Sequence, residues 1–153
     1  GYHDLRKSMT DYLETSPPEN QVSQLVDVLK MLVNADDQVT PEEELMLDEL
    51  TGIIASYLSG ESDSPIYKVA VVPQNTEQES AIETIIKDLH KTEIAGGYAY
   101  LSEPFFSERY AEVVCEKYRA LNIFTVVIKP ENIQNTHQII KLKFEEKDDT
   151  MIE

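Results

Sequence analysis

The strongest constraint on what this chain can fold into is a change of hydrophobic period on either side of one polar break. Up to Leu58 the apolar residues recur at helical spacing, whereas beyond residue 65 the period switches between about two and about 3.6. The break, Ser59-Gly60-Glu61-Ser62-Asp63-Ser64-Pro65, has the small, polar and helix-breaking residues of a linker. Two units are therefore expected: a helical one over residues 1–59 and, after a linker over 60–65, a small α+β domain over 66–147. An acidic tail over 148–153 is expected to fray.

Before the break, three amphipathic helices are expected. Leu5, Met9, Tyr12 and Leu13 mark the first, and Val22, Leu25, Val26, Leu29, Leu32 and Val33 the second. Leu45, Met46, Leu50, Ile53, Ile54, Tyr57 and Leu58 mark the third. Ser16-Pro17-Pro18-Glu19 and Thr40-Pro41-Glu42-Glu43 each supply a cap hydroxyl, a proline for the first turn and a reciprocal Glu, so they read as helix starts.

After the break, Tyr67 to Val72 reads as a buried strand. Thr76-Glu77-Gln78-Glu79 starts a helix with Ala81, Ile82, Ile85, Ile86 and Leu89 on one face. Gly96-Gly97 is a turn signal, and Tyr98 to Leu101 a short strand. Tyr110, Val113, Val114, Tyr118 and Leu121 mark another helix, ending near Asn122. Ile123 to Ile128 reads as a strand, and Gln138 to Phe144 alternates as a half-exposed strand would. The expected class is α+β: a helical unit, then a β-α-β-α-β-β domain of ferredoxin-like type with its helices on one sheet face.

Charge narrows the functional classes. The chain of 153 residues carries 29 acidic and 13 basic side chains, a formal net charge of −16. Nucleic acid is a poor ligand, because neutralising phosphates needs clustered cations, and Lys141, Lys143 and Lys147 alternate with Glu145, Glu146 and Asp148. Anionic membrane surfaces are disfavoured for the same reason. No apolar run reaches the roughly 18 to 20 residues that span a bilayer, and no leader is evident, so a cytoplasmic setting is expected. Gly1-Tyr2-His3, without an initiating Met, reads as a cut from a longer chain with upstream domains. The single cysteine, Cys115, lies in an apolar helical pattern and reads as a core thiol.

The densest chemistry lies between the second and third helices. Asn34-Ala35-Asp36-Asp37-Gln38-Val39-Thr40-Pro41-Glu42-Glu43-Glu44 puts five carboxylates into nine residues. A helix N-terminus by itself stabilises nearby anions by about 0.3 to 1 kcal/mol each. Carboxylates this crowded also suit a hard cation such as calcium or magnesium, the one cofactor class the sequence suggests. An EF-hand is excluded: counting twelve positions from Asn34, Asp36 or Asp37 gives neither the sixth-position glycine nor the final Glu. Asp36, Asp37, Glu42 and Glu43 are the candidate cation-binding or partner-binding residues.

The run Ala35-Asp36-Asp37-Gln38-Val39-Thr40 through Glu43 resembles the Ala-Asp-Gly-x-Val-Ser-x-x-Glu signature of TerB-like, tellurite-resistance-type helical domains, over roughly residues 2–60. Asp37 stands where that signature has glycine, and the motif occurs once. The resemblance implies a metal-binding or partner-binding role for Asp36 and Glu43, in a bacterial cytoplasmic stress-response system. A second stretch, over residues 66–145, is similar to SPOR-type domains: Tyr98-Ala99-Tyr100-Leu101, Pro104-Phe105, Ala111 and Ala120-Leu121-Asn122-Ile123. That likeness implies a ferredoxin-like α+β fold and binding of peptidoglycan glycans stripped of their peptides.

Catalytic signatures are missing from the sequence. His3, His90 and His137 pair with no nucleophile motif, and no phosphate loop, Gly-x-Ser-x-Gly, His-Glu-x-x-His or dinucleotide fingerprint is present. The aromatic residues Tyr98, Tyr100, Phe105 and Phe106 read as core, as an anchor for a protein partner or as a sugar-stacking surface. The expected function is that of a non-catalytic regulatory or adaptor fragment of a larger stress-response or signalling protein. Its acidic joint would take a divalent cation or a basic protein partner. The alternatives are a SPOR-like glycan-binding module and a purely structural domain attached to an upstream sensor.

Overall fold

In the computed structural model, which describes residues 2–35, 39–60, 64–86 and 88–151, the chain divides into two units, Gly1–Pro65 and Ile66–Glu153. The first holds three helices, α1 (Tyr2–Glu14), α2 (Glu19–Ala35) and α3 (Pro41–Ser59). Helix α3 packs against both others. It buries Met46, Glu49, Leu50, Ile53 and Ile54, a stripe at three- and four-residue spacing, with Leu13 and Val22 facing it from α1 and α2. The Tyr57 hydroxyl donates to the Pro17 carbonyl at 2.7 Å and ties α3 to the α1–α2 turn.

Two details of this unit depart from expectation. Leu5 is half exposed, and Arg6 is buried in its place, its Nε 3.0 Å from Oε2 of the fully buried Glu49. Ser16 does not cap α2: at φ +57° it closes α1, its N–H donating to the Leu13 carbonyl. The first turn of α2 is instead held by the Pro18 carbonyl, which accepts from Gln21 and Val22. The side chains of Leu32 and Val33 lie outside the described part of α2.

The second unit is α+β. Its elements are β1 (Lys68–Val72), α4 (Thr76–Ile85), β2 (His90–Ile94), β3 (Gly97–Leu101), α5 (Glu108–Arg119), β4 (Phe124–Ile128) and α6 (Ile133–Met151), the last entered through a 3-10 turn at Pro130–Asn132. The four strands form one antiparallel sheet in the order β2-β3-β1-β4. A β-α-β-β-α-β succession with this order is the ferredoxin-like arrangement, to which α6 is added. One sheet face carries Val69, Val71, Tyr100 and Ile123, which pack with Ile82 of α4 and with Ala111 and Cys115 of α5. The other face carries Ala70, Val72 and Ala99, which pack with Ile140 of α6.

Two corrections to the expected order follow. Residues 138–144 are helical, because Thr136 and Ile140 are buried four residues apart and Phe144 continues that row onto the sheet, while Leu142, which made the pattern look alternating, is exposed. The helix therefore covers the second sheet face, which was expected to be bare. The missing strand is β2, whose His-Lys-Thr-Glu-Ile sequence carries charge because it is a sheet edge. It is held to β3 by a two-residue turn, Ala95-Gly96, with φ +54° and +87°, the signs a type I′ hairpin needs. Helix α4 also starts one residue earlier than expected, at an Asn75 cap that accepts from the Gln78 N–H at 2.8 Å, and Ile85 at its end is exposed.

Gly97 is where α6 meets the sheet most closely. A Cβ added there would lie 2.8 Å from the nearest ring carbon of Phe144. Gly97→Ala should therefore cost about 1–3 kcal/mol in urea unfolding, and much less in a Phe144→Leu background, where the ring is gone. Glu49→Ala should cost about 3–5 kcal/mol, because it leaves the Arg6 guanidinium buried without its carboxylate. Arg6→Met combined with Glu49→Leu should recover most of that loss.

Candidate functional site

The acidic stretch runs in sequence from the end of α2 at Ala35 into the first turn of α3. Thr40, in extended backbone, caps α3: its hydroxyl accepts from the Glu43 N–H at 3.1 Å and its carbonyl from the Glu44 N–H at 3.0 Å. Pro41 occupies the first helical position, where its missing N–H costs nothing. Glu42 and Glu44 are exposed and Glu43 is half-buried, all three in the turn where the helix dipole favours negative charge. Asp36 and Asp37 lie outside the described residues, so the structure places Glu42 and Glu43 alone of the four candidates. Among the described residues no three His, Cys, Asp or Glu side chains converge as a metal site.

The four aromatic candidates do not form one surface. Tyr98 is exposed, with the Lys91 ammonium 5.4 Å from its ring centre. Tyr100 is buried against α4, and its hydroxyl donates to Glu83 at 2.5 Å and lies 3.4 Å from Glu79. Lys91 reaches the same Glu79 at 3.5 Å, so a small polar network closes the side of the core. Phe105 is buried with its ring tilted onto Tyr110, centroids 5.1 Å apart, and Phe106 is half-buried. Tyr98 and Tyr100 project from the face that α4 and α5 cover, not from the α6 face.

Cys115, His90 and Lys129 each have a partner of their own. Cys115 is buried with its Sγ 3.6 Å from the Thr125 carbonyl, and burial pushes its thiol pKa up, away from the thiolate a nucleophile needs. His90 meets Glu103 at 2.8 Å at the surface. Lys129 is shared between Glu108 at 2.8 Å and Glu112 at 3.1 Å, and those hydrogen bonds hold it in its charged form well above the ordinary lysine range. Sequence reading missed the Arg6–Glu49 pair. The one signal for it was a lone Arg on the inward side of an otherwise apolar helix.

No protein-family model, no curated protein and no solved structure matches this chain. No described helix is long and apolar enough to cross a membrane.

Burial raises the pKa of Cys115, Tyr67, Tyr100 and Tyr118, and for Tyr100 the Glu83 and Glu79 carboxylates add to it. The folded state thus prefers the protonated forms. Their stabilisation is intact below the unfolded pKa values, about 8.5 for Cys and about 10 for Tyr, and is lost as pH rises above them. The melting temperature of the second unit should fall steadily between about pH 8 and about pH 11, less steeply in Tyr100→Phe; a flat profile would contradict this account.

Proposed function

We propose that this chain is a non-catalytic regulatory or adaptor piece of a larger stress-response or signalling protein, and that its acidic turn binds a divalent cation or a basic protein partner. The observation that carries the reading is the exposure of Glu42 and Glu44 beside the half-buried Glu43, at a capped helix start, with Asp36 and Asp37 a few residues before them. The Thr40 cap sets the backbone of the first turn of α3, from which Glu42, Glu43 and Glu44 project. A net charge of −16 adds a long-range attraction for any cationic ligand. The TerB-like spacing of Asp36 and Glu43 points to the same role, in the cytoplasm of a bacterial cell.

The SPOR-like reading has less support. Stacking on a sugar needs exposed rings, and of the four candidates Tyr98 alone is exposed, while Tyr100 and Phe105 sit in the core.

Thermal unfolding across calcium, magnesium, manganese and zinc tests the proposal, with the Asp36→Ala, Glu43→Ala double variant alongside. A ligand at a hundredfold its dissociation constant should stabilise the chain by about 2.7 kcal/mol, a shift of several degrees that the variant loses. Absence of any shift would rule out the cation. Unchanged capture of basic proteins by the double variant would then remove the partner as well.

A further inference from the structure

Strand β4 has an open edge. In the order β2-β3-β1-β4 this strand has a neighbour on one side only. Val69 turns its backbone toward β3, where its carbonyl accepts from the Ser102 N–H at 2.9 Å. Val127 stands opposite Val69, so its own N–H and C=O point away from β1 to the open side, as do those of Thr125 two residues earlier.

The chain's own groups close both ends of this edge. The Ile123 N–H donates to the Tyr118 carbonyl, and the Ile123 carbonyl accepts from the Thr125 hydroxyl at 3.0 Å. The Thr125 carbonyl accepts from Arg119 Nε at 3.1 Å. At the other end the Lys129 N–H donates to Asn132 Oδ1 at 2.9 Å, and its carbonyl accepts from the Asn132 N–H at 3.1 Å. Between these blocks, Val127 offers one outward-facing N–H and one outward-facing C=O.

That window opens into a groove of about 850 Å³ between α5 and α6. Val113 of α5 and Ile139 of α6, both more than two-fifths exposed, give it apolar rims. Arg109, Lys117, Arg119 and Lys129 line it, against Glu112 and Glu116, with Glu108 as a third carboxylate on Lys129. Four cations to three carboxylates reverses the balance of a chain in which 29 acids face 13 bases. A negatively charged segment therefore meets at this groove the opposite of the repulsion the chain as a whole presents.

We propose that the β4 edge docks a short, extended, acidic and apolar segment of a partner protein. One residue of that segment exchanges two main-chain hydrogen bonds with Val127, an apolar neighbour packs between Val113 and Ile139, and a carboxylate faces Lys117 and Arg119. The blocked ends limit the pairing to about this length, which distinguishes it from the addition of a full strand. A second copy of the chain fits less well, because two bodies each at −16 repel and a five-residue strand finds no continuous ladder.

Fluorescence anisotropy of the full chain tests this, using labelled peptides of about eight residues that alternate valine with aspartate or glutamate, and matched peptides carrying lysine instead. The acidic peptides should bind and the lysine peptides should not. Binding should weaken about tenfold in Lys117→Glu and on raising salt from about 0.05 to about 0.5 M. Val127→Pro, which removes the outward amide at an edge position that tolerates proline, should abolish it. Lys117→Glu changes an exposed side chain and keeps the test decisive if the proline variant misfolds. No binding by any acidic peptide, equal binding of the lysine peptides, or wild-type affinity in Lys117→Glu would each overturn the proposal. So would a dimer in sedimentation that Val127→Pro dissolves, which would give the edge to a second copy.

Discussion

Strand β1 is the constraint on which the second unit depends. Val69, Ala70, Val71 and Val72 are all fully buried, so a strand of alternating faces must be dry on both. Burial of its three valines favours folding by roughly 1.5–3 kcal/mol each, but only if each face has a cover. Helices α4 and α5 cover one face and α6 the other. The central place of β1, between β3 and β4, follows from the same requirement, since an edge strand could not be so fully enclosed. Among the residues under α6, Ala70, Ala99 and, at the rim, Gly97 are small enough to let a helix lie close to the sheet.

The helical unit solves its packing differently. Its core is apolar at Leu50, Ile53 and Ile54, yet it also encloses a carboxylate, Glu49, paired with Arg6. Such a pair adds little net stability compared with apolar residues of the same size. Its effect is on specificity. Any slip of α1 along α3 would separate the two charges within a dry interior, so the pair sets the register between two helices whose apolar contacts alone could accept several.

The start of α3 was legible in the sequence, that of α2 was not, and contacts between distant residues were hidden. Thr40 and Pro41 announce the start of α3 because capping involves four consecutive residues. The strands β1 and β4 were legible from unbroken apolar runs, and the α+β class followed from them. Residues 138–144 misled because Ile140, Leu142 and Phe144 satisfy a period of two as well as Thr136, Ile140 and Phe144 satisfy one near four. What separates the readings is whether Leu142 is inside, and that depends on a sheet formed by distant residues. The charged β2 was hidden because its stability comes from pairing with β3, not from its own composition. At the candidate sites, the acidic turn was visible as a run of carboxylates, whereas the β4 groove joins α5, β4 and α6 and exists only once the chain has folded.

The closed ends of the β4 edge have a meaning beyond recognition. Lys-Val-Ala-Val-Val and Phe-Thr-Val-Val-Ile are the segments most apt to stack into cross-β fibres, being short, apolar and rich in β-branched residues. In the folded chain the first is enclosed, and the second is interrupted at Thr125 by Arg119 and at Lys129 by Asn132. The opposite edge carries Lys91 and Glu93. Growth of the sheet by unlimited strand addition is thus opposed at both edges, by charge on one and by occupied backbone groups on the other.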